Sequence, residues 1–194
     1  MKCLANQLNK VKNFSEHTSK TKSHDINPSI ATEVLNCILK EEDTIENKHI
    51  LVLNSEAGIL HVGLNLCHPV FLTSIVSDTP NENIKQNVTE FNVSCDFIVS
   101  NTQVFKKNAL DIAVVGPILE KSKCSSLSLI KMATQTAKIT YCVFQTEHMK
   151  KLVENFPNYT VIGTVNIKMP GSSNYYKQNI GHVEHTIFKL KNNE

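Results

Sequence analysis

The side chains able to do chemistry in this sequence are not grouped as a metal or redox site would group them. Six cysteines stand at positions 3, 37, 67, 95, 124 and 142, and no two are spaced as Cys-x-x-Cys. Several fall inside apolar runs, so they read as reduced core thiols rather than disulfide partners or zinc ligands. His182 and His185 are close neighbours, but on a strand that spacing sends the two rings to opposite faces, which argues against a shared metal ion. Asn87-Val88-Thr89, Asn92-Val93-Ser94 and Asn158-Tyr159-Thr160 match the glycosylation sequon. No apolar leader follows Lys2, so these sequons read as chance matches in an Asn-rich chain.

The pattern of apolar residues predicts the elements that must position these groups. Residues 1–26 carry Lys2, Lys10, Lys12, Lys20 and Lys22 against Glu16 and Asp25, and read as a frayed helix and a flexible basic arm. Asn27-Pro28 supplies a cap residue and a proline at a first helical position. Ile30, Val34, Leu35, Ile38 and Leu39 follow at helical spacing, predicting an amphipathic helix over 28–41. Lys40 to Lys48 is a charged connection.

Beyond it, strands and helices alternate. Strands are predicted over 49–53, 70–76, 96–100, 110–115 and 138–144, and helices over 57–66, 81–91, 124–137 and 146–155. Two last strands, 159–168 and 182–190, are joined by the loop 169–181 with no helix between them. Seven strands with five interleaved helices predict an α/β, doubly wound, Rossmann-like sheet, and the helix-free ending implies an antiparallel final strand pair. There is no internal repeat, and residues 27–194 read as one domain after the arm.

Composition agrees with a single globular domain. The chain has 194 residues, 41% apolar and 20% charged. A net charge of +2 is too mild to imply nucleic-acid binding by itself. No apolar run reaches the roughly 20 residues that cross a bilayer, so a cytoplasmic or nuclear location without membrane contact is expected.

Four stretches carry a resemblance. They are Ile45-Glu46-Asn47-Lys48 before the first strand, Gly58-Ile59-Leu60-His61-Val62-Gly63 after it, Asp111-Ile112-Ala113-Val114-Val115 in the fourth, and the end from Met169-Pro170 through Phe188-Lys189-Leu190. From Asn27 to Leu190, nearly without gaps, the sequence resembles the methyltransferase-like protein 5 family, N6-adenine methyltransferases of small-subunit ribosomal RNA. The resemblance implies the class I methyltransferase fold. It also implies which residues should bind the methyl donor and the target base, and there this chain departs from the family.

In that family the first strand ends in Asp-x-Gly-x-Gly-x-Gly, whose glycines let the backbone approach S-adenosylmethionine. Here the carboxylate position holds Val52, the first two glycines are Asn54 and Glu56, and only Gly58 remains. Asn54 tolerates a left-handed backbone. Glu56 puts a side chain and a negative charge near the donor's carboxylate, where like charges about 4 Å apart cost several kcal/mol at intermediate dielectric. The acid that should follow the second strand for the donor's ribose is displaced: the segment reads Ile75-Val76-Ser77-Asp78. Asp78 either reaches a ribose or starts the following turn.

The base clamp Asn-Pro-Pro-Phe/Tyr falls on Gly116-Pro117-Ile118-Leu119, where only one proline survives. Glycine offers no acceptor side chain and leucine no π face for a flipped base. These four residues read as a strand-ending turn. The family's Gln-Tyr-Pro-Thr element falls on the unrelated Ser23-His24-Asp25-Ile26. Its basic run between the last two strands shrinks to Lys177 beside Tyr175 and Tyr176, which either stack on single-stranded RNA or pack their own loop.

The expectation is therefore a pseudomethyltransferase that uses neither donor nor metal. The family pairs with a small zinc-binding activator subunit along its third strand, which here carries Phe97, Ile98 and Val99. Two alternatives stay open. One is an RNA-binding remnant using the basic arm with Lys106, Lys107, Lys121 and Lys123. The other is an S-adenosylmethionine-dependent N6-adenine RNA methyltransferase with divergent motifs.

Overall fold

Strands that are apolar at consecutive positions can be buried only if both faces of the sheet are covered. The computed structural model describes residues 2–11, 28–41, 45–55, 57–118, 126–169 and 181–191. In it, β1 (His49–Leu53) sends Ile50 and Val52 into one core and Leu51 and Leu53 into the other. β4 (Leu110–Ile118) divides in the same way, Ile112 and Val114 against Ala113 and Val115.

The first core is roofed by α1 (Lys2–Leu8), α2 (Pro28–Leu39) and α3 (Ile59–Asn65), with α4 (Glu82–Glu90) at its margin. The second is roofed by α5 (Ser126–Thr136) and α6 (Met149–Asn155), the latter entered through a 3-10 turn over Thr146–His148.

The remaining strands are β2 (Phe71–Val76), β3 (Cys95–Val99), β5 (Ala137–Gln145), β6 (Tyr159–Met169) and β7 (Gly181–Lys191). They form one seven-stranded sheet in the order β3-β2-β1-β4-β5-β7-β6. The first five strands pair in parallel, while β7 lies antiparallel to both β5 and β6. The mixed α/β sheet and its antiparallel ending thus match the expectation. A point that spacing along the chain does not reveal is that the last strand inserts between its two predecessors.

Two readings change. The polar N-terminal stretch is not free over residues 2–11: it forms α1, and Leu8 is wholly buried with Val11 beside it. Leu4, Leu8 and Val11 make a helical stripe that the surrounding lysines obscure. Residues 12–27, including most of the expected arm and Ser23 to Ile26, lie outside the described residues. The second change is at Gly116-Pro117. β4 does not turn there but continues to Ile118, through an irregularity in its pairing with β5 between Val115 and Ile118. Proline has no N–H for the ladder, so it sits where the ladder is broken.

One buried charge fastens the scaffold. The Lys189 ammonium on β7, with Lys189 only 6% exposed, pairs with Glu41 beyond α2 at 3.2 Å and lies 5.6 Å from the centre of the Tyr141 ring. Cys142 is buried, Cys37, Cys67 and Cys95 are half-buried, and all four are free thiols. Burial pushes the Cys95 thiol up to about 12, which makes it a poor nucleophile. Among the described residues there is no cluster of His, Cys, Asp and Glu that could hold a metal ion. No described helix is long and apolar enough to cross a membrane.

Candidate functional site

In an open parallel sheet, ligands bind at the carboxyl ends of the strands, where the strand order reverses. Here the reversal lies between β1 and β4, where the Asn54 loop meets Gly116. Asn54 takes the left-handed backbone (φ 55°) and Gly58 does the same (φ 78°), so the chain turns tightly without the missing glycines. The loop is pinned from behind. The buried Asn87 amide on α4 donates to the Ala57 carbonyl at 2.8 Å, and the Gly58 N–H donates to the Ser55 carbonyl at 3.2 Å. Val52 is wholly buried, with its side chain in the first core, and its carbonyl accepts from the Ser74 hydroxyl at 2.9 Å.

The donor-loop and base-clamp positions close on each other. The Asn54 side-chain amide donates to the Pro117 carbonyl, across 63 residues of sequence. Gly116 lies so close beneath the Asn54 backbone that a Cβ there would clash with the Asn54 carbonyl oxygen and sit 3.1 Å from its carbon. Glycine is thus the residue this corner admits. An asparagine at 116, as in an adenine clamp, has no room unless the Asn54 loop moves. Gly116 and Pro117 are both buried.

On the other side of β1 the rim is open. A cleft of about 730 Å³ lies at the ends of β1, β2 and β3, and Gly116 and Pro117 are not among its wall residues. Leu53, Ile75, Leu129 and Met132 supply apolar wall, while Ser55, Asp78 and Asn101 supply polar groups. Asp78 is exposed and accepts from the Thr79 N–H at 2.7 Å, so the carboxylate braces its own turn. Asn81 next to it caps α4, its side chain accepting from the Ile84 N–H at 3.0 Å. Val76 is half-buried at the cleft wall. Among the described residues, none with a strongly shifted pKa lines the cleft.

Asn54 thus faces both sides of the rim: its side chain is bonded to Pro117 toward β4, and the residue also lines the cleft toward β2 and β3. Glu56 and Leu119 lie outside the described residues, as do Tyr175, Tyr176 and Lys177; of Ile118 only the strand backbone is described.

Phe97, Ile98 and Val99 come together at an edge of the sheet, where among the described residues β3 pairs only with β2. They are not equally available. Phe97 is half-buried against the His61 ring, with centroids 5.5 Å apart, and Ile98 packs on the second core. Val99 is 58% exposed. His61 is fully buried with both ring nitrogens lacking a hydrogen-bond partner, and burial pulls its pKa down to about 4. Sequence reasoning gave Ser55, Asn87 and His61 no part in the site: Asn87 stood out only as a sequon and His61 only within a scaffold stretch, because each acts through a contact made only in the fold.

No protein-family model matches the sequence, and no curated protein matches it in sequence. Solved structures do resemble it. The candidate RNA methyltransferase PH1948 of Pyrococcus horikoshii superposes with a TM-score of 0.77 at 18% identity, covering 98% of this chain and 96% of that one. Protein 1320 of Thermoplasma acidophilum gives 0.71 at 20% identity over 100% and 97% of the two chains. A dimethyladenosine transferase from Plasmodium falciparum gives 0.58 at 19% identity over 87% and 63%. The first two likenesses span nearly the whole chain, and with the strand order and antiparallel ending they establish that this protein has the fold of the class I methyltransferases.

Proposed function

We propose that this chain is a catalytically inactive pseudomethyltransferase that acts as a protein-interaction module, with the free β3 edge as its docking surface. The observation that carries the first half is the closed corner, where Asn54 bonds to Pro117 over a Gly116 that leaves no space for a clamp side chain. Methyl transfer needs donor and amine held within reach of each other. Here the position that should hold the amine is buried against the loop that should hold the donor.

The second half is supported by the edge itself. Among the described residues β3 pairs on one side alone, with Val99 exposed, which suits the addition of a further strand. The resemblance to the methyltransferase-like protein 5 family suggests a small zinc-binding methyltransferase activator subunit as the partner, with competition against an active paralogue as the consequence. Purified chain mixed with such a subunit should form a one-to-one complex by size exclusion, and Val99→Asp should abolish it. No complex, or one indifferent to Val99→Asp, removes the interaction reading.

A second reading has its own support: two of the similar structures are described as RNA methyltransferase or adenosine-methylating enzymes. On that reading the corner opens when RNA binds and the protein is a divergent N6-adenine RNA methyltransferase. Transfer of labelled methyl from S-adenosylmethionine to ribosomal RNA by the chain with its activator would establish it. RNA binding without turnover would instead favour a remnant that holds RNA through its lysines.

A further inference from the structure

His61 is a buried polar side chain that neither the corner nor the cleft uses. It sits on α3, where Ile59 to Leu64 are all buried, and is itself 1% exposed. Among the described residues neither of its ring nitrogens has a hydrogen-bond partner. The ring has given up its bonds to water and gained none in return, a loss that an apolar residue of the same size avoids. What it touches is Phe97 on the edge strand β3, with ring centroids 5.5 Å apart and planes tilted by 37°. Phe97 is half-buried, and among the described residues its strand is held on one side alone, by β2. One contact thus joins a group that a proton can charge to a strand at the margin of the sheet.

No described charge stands ready to stabilise a proton on that ring. α3 carries no ionisable residue besides His61, and β2 carries none. On β3, Asp96 is exposed and alternation sends it to the face opposite Phe97, while burial keeps the Cys95 thiol neutral, pushed up to about 12. On α4, Glu82, Lys85 and Glu90 are all exposed, the first two as a surface ion pair at 2.9 Å. α1 and α2, which also pack on α3, carry Lys2 and Glu33 as their charged residues. Burial alone pulls the His61 ring down, to about 4. An imidazolium here is a buried charge without counter-ion or water, and parting α3 from β3 relieves it. We infer that His61 is a proton-sensitive latch between α3 and β3, so that acid loosens this edge while the rest of the sheet holds. The consequence for function rests on the docking reading above: a partner seated on β3 is released by acid.

The test is native-state hydrogen exchange of the full chain, read by NMR at pH 7 and pH 5 with intrinsic rates corrected for pH. Amides of β3, and the Ser100 N–H that donates to the Val76 carbonyl at 2.9 Å, should exchange through a local opening that low urea leaves unchanged. Amides of the central strand β4 should need global unfolding. The closed ring titrates at about 4 and the open one at 6.5, so the open form binds the extra proton and the contact weakens as pH falls through that window. Between pH 7 and pH 5 the protection of β3 should fall about twentyfold, and by less than about twofold in His61→Phe, which keeps a stacked ring without the proton. His61→Leu serves as a second non-titrating variant in case the larger ring disturbs α3. β3 amides as protected as those of β4, or a pH response that survives in both variants, would overturn the latch. Binding of the zinc-binding activator subunit at the same two pH values should weaken in acid for the wild type more than for His61→Phe. Equal binding at pH 7 and pH 5 overturns the gating of the edge. No complex at pH 7 removes the docking reading alone, and β3 exchange still decides the latch.

Discussion

The two sides of β1 at the carboxyl rim are built on the same strands and have opposite character. Toward β4 the rim is shut, with Asn54 bonded to Pro117 over Gly116. Toward β2 and β3 it is open, with a cleft of about 730 Å³. The scaffold beneath does not distinguish them: Leu51, Leu53, Leu72 and Val115 are all wholly buried. The difference lies in a few loop positions, and function in such folds is set at positions of that kind rather than by the scaffold.

Gly116→Asn should break this contrast most severely. It forces the clamp side chain of an adenine enzyme into the Asn54 backbone, and overpacking of this kind costs about 3 kcal/mol. Urea denaturation should show it as a lower midpoint at unchanged slope. A variant as stable as the parent would mean that the Asn54 loop lifts easily.

The open side has a different weakness, dependent on pH. His61, stacked on Phe97 of the edge strand, has a folded pKa of about 4 against 6.5 unfolded. In that window the unfolded chain binds the extra proton, so stability falls as pH drops from 6.5 to 4 and levels off below. Lowering the pH from 7 to 5 should cost about 2 kcal/mol through this group. His61→Leu should flatten most of that slope. The remainder is assigned to His185, whose pKa is also lowered by burial. A slope unchanged in His61→Leu would show that the ring is not buried neutral.

Asn54 offers a finer test. Asn54→Ala loses the bond to Pro117 and puts a Cβ without a compensating amide at φ 55°, for about 1–2 kcal/mol. Asn54→Gly loses the same bond but relieves the backbone, so it should cost less than the alanine variant. Equal losses by thermal denaturation would remove the left-handed strain from the account. Smallest of all, Asp78→Asn at the exposed cleft mouth should change the thermal midpoint little, by less than about 0.5 kcal/mol in stability.

Much of the scaffold was legible because its signals are local. Apolar runs located β1, β2 and β5, and the helix expected over 81–91 is α4, Glu82–Glu90. Two strands without a helix between them predicted the antiparallel ending. The tolerance of asparagine for a left-handed turn anticipated Asn54. What escaped depends on partners distant in sequence. The expected Gly116-Pro117 turn is a continuing strand because Ile118 pairs with Phe144 of β5, and α1 packs because Leu8 meets helices that follow the arm. Lysines around Leu4, Leu8 and Val11 hid a stripe that burial makes plain.

The central claim is that the closed corner excludes the methyl donor, and calorimetric titration of S-adenosylmethionine tests it most directly. The chain should be measured alone and with a zinc-binding activator subunit, so that an unstable lone chain is not mistaken for an incompetent one. No saturable heat is expected in either case up to about 1 mM donor, an affinity weaker than roughly −4 kcal/mol. Saturable binding in the micromolar range would contradict it and make Asn54 part of a working donor site.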